Sequence, residues 1–467
     1  MTIFLNVIAM LITLLSFVLL LVLRRPLQRW GIVLGTLAGW MILYIVSEML
    51  GIAQWKQFMS LRIQIVTLAG LYLLFTERTR VARWAVLGGT LAAQAILLLL
   101  AAFQGIAADM ISSWVTYVLL SSVFALASLG LNVQWGDTGL FNIGVAGFFG
   151  VGAYVSAIVV QDPQNLAVGS GLEGFFGHYF NQPFLIGLLT AMAASAVLAV
   201  IVGFATLRLR TDYLAIATIG IAETLRIFST NERTITEGTR GIPNIPQPLF
   251  DCLVQQNPAK SLCQVPFLGI EFPQFLNPAQ YSWFYALIVI AVLVLGFLAL
   301  ERISRSPWGR VLRAVREDED AASSLGKNVF RFKMQSLIIG AVIMAAAGSL
   351  TTHFFRFVDP QIFDAVERTF LVWVMLIVGG TGNNRGAIFG AFIMWFVWNA
   401  PQNLNDVLPA TLDTPLGKLN VAAQLFGPIR LILVVIALEL ILLFRPRGLL
   451  GEEKVTSTLV DRAPSAK

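Results

Sequence analysis

Glu223 and Arg226 stand three positions apart inside the apolar run 213–230. On a helix that spacing puts both on one face. Ionisable groups in such a run are costly, so the pair has two readings: contacts for a charged solute, or a structural pair that neutralises itself. A second charged group is REDED, residues 316–320, five consecutive ionisable side chains in a chain only 12% charged. A third stretch, GGTGNNRG at 379–386, has the glycines of a phosphate loop but lacks the Lys-Ser/Thr that such a loop needs. Cys252 and Cys263 share one polar loop and could form a disulfide in an oxidising compartment, or remain idle thiols. The two histidines, His178 and His353, are far apart in sequence. No metal-ligand cluster and no nucleophile–base constellation is evident, so an enzyme is unsupported.

The elements that must position these groups are membrane spans. The 467 residues are 57% hydrophobic with mean hydropathy +0.77, far above a soluble domain. Runs long enough to cross a hydrocarbon core of about 30 Å recur throughout. They predict an all-α, polytopic transmembrane helical bundle of about 11–13 spans. The candidates are 3–23, 30–50, 63–75, 84–103, 110–132, 139–160, 183–207, 213–230, 281–300, 334–354, 366–380, 386–400 and 428–444. Segment 366–400 reads equally as one long helix or two broken ones.

Charge placement sets the expected orientation. Arg24, Arg25 and Arg29, then Arg78, Arg80 and Arg83, Arg208 and Arg210, the stretch 301–333, Arg385 and the tail after 444 hold 22 of the 32 basic residues. Cytoplasmic loops collect such residues, so the N-terminus is expected outside and the C-terminus inside. The basic balance needs no nucleic-acid partner. Span 3–23 has its basic residues after it, the reverse of a secretory signal, and reads as a retained helix. The domains expected are an accessory bundle at 1–110, a core at 111–450 and a cytoplasmic tail at 451–467. The core includes a periplasmic loop at 231–280 and a cytoplasmic loop at 301–333.

Within 301–333, Ser306 and Pro307 are placed to start a helix. Trp308, Val311, Leu312 and Val315 form one apolar face, opposite Arg310, Arg313 and Arg316. A second short helix is expected over Asp320 to Leu325, where acidic residues suit an N-terminus, with Gly326 as its stop. The apolar stripe calls for a surface to pack on. Gly144, Gly147, Gly150 and Gly152 place small residues close together on another helix, either as a sliding or pore-lining face or as tight static packing. GGTGNNRG between apolar runs suggests a broken helix or tight turn whose carbonyls could line a cavity.

The stretch DAASSLG has the E-A-A-x-x-x-G spacing of the coupling loop of ABC import permeases, with Asp320 where Glu is usual. SPWGRVLRAVREDEDAASSLG resembles that loop in the LivM family, membrane subunits of branched-chain amino acid importers. LRLRTDYLAIATIGIAETLRI at 207–227, TRGIPNIPQP at 239–248, GLNVQWGDTGLFNIGVAGFFGVGAY at 130–154 and VGGTGNNRGAIFGAF at 378–392 resemble further family motifs in order. Val145, Ala387 and Asn142 stand where His, Pro and Ser are frequent in the family.

The resemblance implies an ATP-driven importer of branched-chain or related neutral amino acids in the bacterial inner membrane. A periplasmic solute-binding protein, a second homologous permease and two ATP-binding subunits would complete it. ATP and magnesium would bind on those partners, with no cofactor on this chain. It implies coupling through Arg316, Glu317, Asp318, Glu319, Asp320, Ala321, Ala322 and Gly326, with Trp308 and Leu312 as packing anchors. Glu223, Arg226, Asn142, Gly144, Gly147, Gly379, Gly380 and Gly382 are the candidates for the translocation path. Urea or short amides as the solute, and an ion-coupled carrier using Glu223 or Glu48, are the competing readings.

Overall fold

The computed structural model describes residues 59–77, 80–103, 107–161, 184–209, 211–250, 262–264, 271–273, 278–401, 411–414, 417–420 and 426–451. Candidate spans 3–23 and 30–50 lie outside these residues, as do Arg24, Arg25, Arg29, Arg78, His178, Glu48, Cys252 and the tail after 451. The proposed Cys252–Cys263 pairing therefore falls outside them too.

Each of the other candidate spans contains a helix. In chain order these are α1 (Met59–Thr76), α2 (Arg80–Phe103), α3 (Ala107–Leu131), α4 (Val145–Val160), α5 (Phe184–Thr206) and α6 (Thr211–Asn231). After the short α7 (Arg233–Thr236) come α8 (Pro278–Arg305), α9 (Pro307–Glu317), α10 (Glu319–Ser324), α11 (Val329–Phe355), α12 (Leu371–Gly379), α13 (Asn384–Asn399) and α14 (Phe426–Phe444). Among the described residues the strands form only short antiparallel pairs, one of them joining Ile242–Pro243 to Phe357–Val358. The chain is an all-α, multi-pass membrane protein.

Among the described residues, four helical stretches are long and apolar enough to cross a membrane unaided: Ile111–Asp137, Phe184–Thr206, Gln280–Arg305 and Val329–Phe355. Burial sorts them into two layers. The first and last are 83% and 72% buried over their most apolar windows, whereas the other two are 33% and 28% buried. So α3 and α11 form the centre. The outer helices α5 and α8 turn Val197, Ile201, Leu287 and Leu295 outward, as a lipid-facing surface does. Lipid tails are as apolar as these side chains, so the centre must be held by close packing instead. At the crossing of α4 and α11, a Cβ on Gly152 would fall 2.3 Å from the Ala345 carbonyl and one on Gly348 1.9 Å from the Phe149 carbonyl. Only hydrogen fits at either position.

One candidate span is shorter than expected, and the two alternatives for 366–400 are decided. In 139–160 the helix begins only at Val145, and its 16 residues reach about 24 Å at 1.5 Å each. The preceding segment is held non-helical by hydrogen bonds described below. Segment 366–400 is the broken alternative: a π turn at Val366–Phe370 runs directly into α12, and a turn separates α12 from α13. The turn depends on Gly380 (φ +112°) and Gly382 (φ +74°), conformations that other residues adopt only under strain.

Candidate functional site

The charged loop folds as two short helices joined at Asp318. That residue has extended backbone (φ −157°, ψ 110°) and ends α9, its N–H donating to the Ala314 carbonyl at 3.0 Å. Its carboxylate starts α10, Oδ1 accepting from the N–H groups of Asp320 and Ala321 at 3.0 Å each. Glu319 and Asp320 then sit in the first turn, where the helix dipole favours anions. The second helix thus begins one residue before the predicted Asp320, because Asp318 is the better cap. Gly326 stops it at φ +76°. Ser306 occupies the cap position of α9 but does not cap it. Its hydroxyl donates instead to the Ile303 carbonyl at 2.7 Å, at the end of α8 immediately before it.

The apolar stripe has its packing surface within this chain. Leu312 and Val315 are fully buried where α9 packs on α8, α11 and the segment after α3. The Trp308 indole N–H donates to Gln335 Oε1 on α11 at 2.7 Å. Ala322 is buried from α10, and Lys333 on α11 pairs with Glu319. The opposite face is open: Arg310, Glu317, Asp318, Asp320, Ala321 and Gly326 are exposed, and Leu325 is 80% exposed. A mostly acidic ridge, anchored on its apolar side, therefore projects from the bundle.

Beneath that ridge lies a polar network that the sequence reading did not single out. α3 continues into a π-helix, Asn132–Asp137. Asn132 donates to Asn384 Oδ1 at 2.9 Å and accepts from the Gly382 N–H at 2.9 Å. Gln134 donates to the Leu337 carbonyl and accepts from Asn142, at 2.9 and 2.7 Å. Thr138 donates to Ser336 at 2.7 Å, and Ser304 donates to Asp137 Oδ2 at 2.8 Å. Arg316 donates to the Gly136 carbonyl. Asn142, one of the path candidates, accepts from the Gly144 N–H at 2.8 Å, while its carbonyl accepts from the Trp373 indole at 3.1 Å. These bonds hold 139–144 out of helical conformation. The signal in the sequence was Asn132, Gln134 and Asp137 inside an apolar stretch.

The other path candidates occupy three places. Gly144 and Gly147 are buried against Thr218 and Ala222 of α6. The space left among them, about 10 Å³, has room for at most one water. Gly379, Gly380 and Gly382 belong to the turn before α13. The carbonyls of Val378 and Gly379 accept from the N–H groups of Leu449 and Leu450 at 2.9 and 3.1 Å, so Gly379 is paired instead of lining a cavity. Glu223 and Arg226 form a forked ion pair, with Nε 2.9 Å from both carboxylate oxygens. Their side chains stay 47% and 44% exposed on the outer face of α6. Sequence reasoning also passed over Arg368, which pairs with Glu367 at 3.3 Å and lies over the rings of Phe124 and Phe149.

A helical bundle of apolar spans with buried glycine crossings and a charged ridge is the architecture of a polytopic membrane protein. Residues 113–438 match the family "Branched-chain amino acid transport system / permease component", and the chain belongs to that family. It is 32% identical over 278 residues to the high-affinity branched-chain amino acid transport system permease protein LivM of Salmonella typhimurium. That match covers 59% of this chain and 60% of the relative's length. The probable branched-chain amino acid transport permease protein LivM of Methanocaldococcus jannaschii is 25% identical over 72% of this chain and 93% of its own. The high-affinity branched-chain amino acid transport system permease protein LivH of Escherichia coli is 29% identical over 59% of this chain and 81% of its own. No solved structure matches the chain.

Proposed function

We propose that this chain is the transmembrane permease subunit of an ATP-driven importer for branched-chain or related neutral amino acids. The ridge formed by α9 and α10 carries the reading. Its apolar side is buried in the chain that bears it, so its exposed acidic side is free for a separate subunit. Arg316 to Gly326 act as the coupling element, in which Leu312 and Trp308 fix the ridge to the core. ATP and magnesium belong to two partner ATP-binding subunits. A second homologous permease and a periplasmic solute-binding protein complete the assembly, a pairing supported by the similarity to both LivM and LivH relatives. The chain lies in the inner membrane with its N-terminus periplasmic and its C-terminus cytoplasmic. The ridge side then faces the cytoplasm, and Cys252 and Cys263 face an oxidising space where they can pair.

The exposed Glu223–Arg226 pair is too polar for lipid. We assign it to a face of α6 that meets the solute path or the second permease, with Gly144 and Gly147 packed against that helix at Thr218 and Ala222. The test is the substitution Asp320→Lys on the ridge. It reverses an exposed charge and should cut amino acid uptake at least tenfold while the chain still inserts and its helix content is unchanged. Normal uptake by Asp320→Lys would contradict the assignment.

A further inference from the structure

The π-helix Asn132–Asp137 is held at two ends by different parts of the molecule. From the ridge, Arg316 donates to the Gly136 carbonyl, and a Cβ on Gly139 would sit 3.2 Å from Arg316 Cγ. Ser304, at the end of α8, adds its bond to Asp137 at 2.8 Å. From the turn between α12 and α13, the Gly382 N–H and Asn384 side chain both reach Asn132 at 2.9 Å. Gly136 is where the two clamps meet. A Cβ there would fall 2.1 Å from Asn132 Oδ1 and 2.6 Å from the Gly382 nitrogen. One buried residue therefore separates the ridge from the glycine turn.

A π turn carries one more residue than an α turn, and such segments are rare and concentrate at functional positions. Removing the extra residue's bulge would advance the following chain by about 1.5 Å along the axis. The carboxamides of Asn132 and Gln134 can each donate and accept, so they can re-pair during such a slip without leaving a buried polar group alone. A purely apolar segment would have no such bonds to pass a displacement sideways.

We propose that the π-helix Asn132–Asp137 is the mechanical joint between the α9–α10 ridge and the α12–α13 glycine turn, with Arg316 and Asn132 as its two positioning residues. Displacement of the ridge moves the Gly136 carbonyl through Arg316, and the turn follows through Asn132 and Gly382. The biological meaning of the joint rests on the coupling function proposed above, but the linkage itself is testable without transport.

Amide hydrogen exchange is measured on the full chain in lipid nanodiscs. Arg316→Ala, which does not touch the turn, is expected to raise exchange in 379–386 at least fivefold, with exchange in α14 within twofold of the parent. Arg316→Lys, which keeps a donor, should restore most of the protection, and Arg316→Met, which keeps the apolar stem without a donor, should raise exchange as alanine does and replaces it if the alanine variant does not fold. Unchanged exchange in 379–386 for Arg316→Ala, or an equal rise throughout the bundle, overturns the joint. In the reconstituted assembly, Arg316→Ala and Asn132→Ala should each lower solute moved per ATP at least threefold, with the double variant no worse than either alone. Strictly multiplicative effects would also overturn it. Absence of ATP-driven uptake by the parent assembly, with the exchange result intact, would instead count against the importer function and leave the linkage standing.

Discussion

Asp318 ends one helix and begins the next, its N–H closing α9 and its carboxylate capping α10. Asp318→Ala removes the acceptor for two N–H groups, a loss of about 1 kcal/mol for an N-cap. The melting of α10 should appear as rapid amide exchange at Ala321 and Ala322, with the rest of the bundle unchanged. Leu312 and Asp320 separate the two sides of the same element. Leu312→Ala opens a buried position and should cost about 2–5 kcal/mol, measurable as easier denaturant unfolding in mixed micelles. Asp320→Lys should leave that transition in place and act on uptake alone. If both variants shifted stability equally, the division into an inward and an outward face would be wrong. At this scale the sequence carried much of the information. The period-3.6 stripe through Trp308, Leu312 and Val315 located the buried face, and the acidic run located the second helix. It did not reveal that α11 and the end of α3 supply the covering surface, because a stripe records only that something apolar covers it.

The elements that the sequence left ambiguous are those that depart from regular geometry. The long apolar runs of α3, α5, α8 and α11 announced themselves by length and composition. The π-helix after α3 did not. A π turn has no period in the regular helical template, and the partners on Ser336, Asn384 and Ser304 come from distant parts of the chain. The 379–386 stretch was readable as a break but not as to which groups fill it. The carbonyls of Val378 and Gly379 are taken by Leu449 and Leu450, some seventy residues later. Gly380 at φ +112° gives a direct check on the turn. Gly380→Ala forces a side chain into a conformation costing about 1–3 kcal/mol and would press on Gly451, whose nitrogen lies 2.9 Å from the added Cβ. The expected outcome is lower thermal stability with loss of amide protection at Leu449 and Leu450. Unchanged protection there would mean that the C-terminal segment does not depend on the turn.

Across the whole molecule, the family match at 113–438 leaves α1 and α2 before it, yet α1 is packed onto the matched part. Trp114 of α3 donates to Thr67 at 2.9 Å, and Tyr72 lies against Phe389 of α13 with ring centroids 5.4 Å apart. The bundle has two kinds of outer surface. α5 and α8 present apolar side chains suited to lipid, while α6 presents Glu223 and Arg226 among Ile216, Ile227 and Phe228. Glu223→Gln breaks a half-exposed pair worth about 1 kcal/mol or less to folding, so a marked fall in uptake with little change in unfolding would assign the pair to the path or the permease interface. On the proposed function, the chain moves amino acids by means of a motor held on partner subunits. The most direct measurement is uptake of labelled leucine at low concentration, in cells with and without this chain, that hold ATP but have had their proton gradient collapsed. Uptake that requires the chain and survives the collapse is the result expected of an ATP-driven importer. Uptake that requires the chain but disappears with the gradient would contradict it.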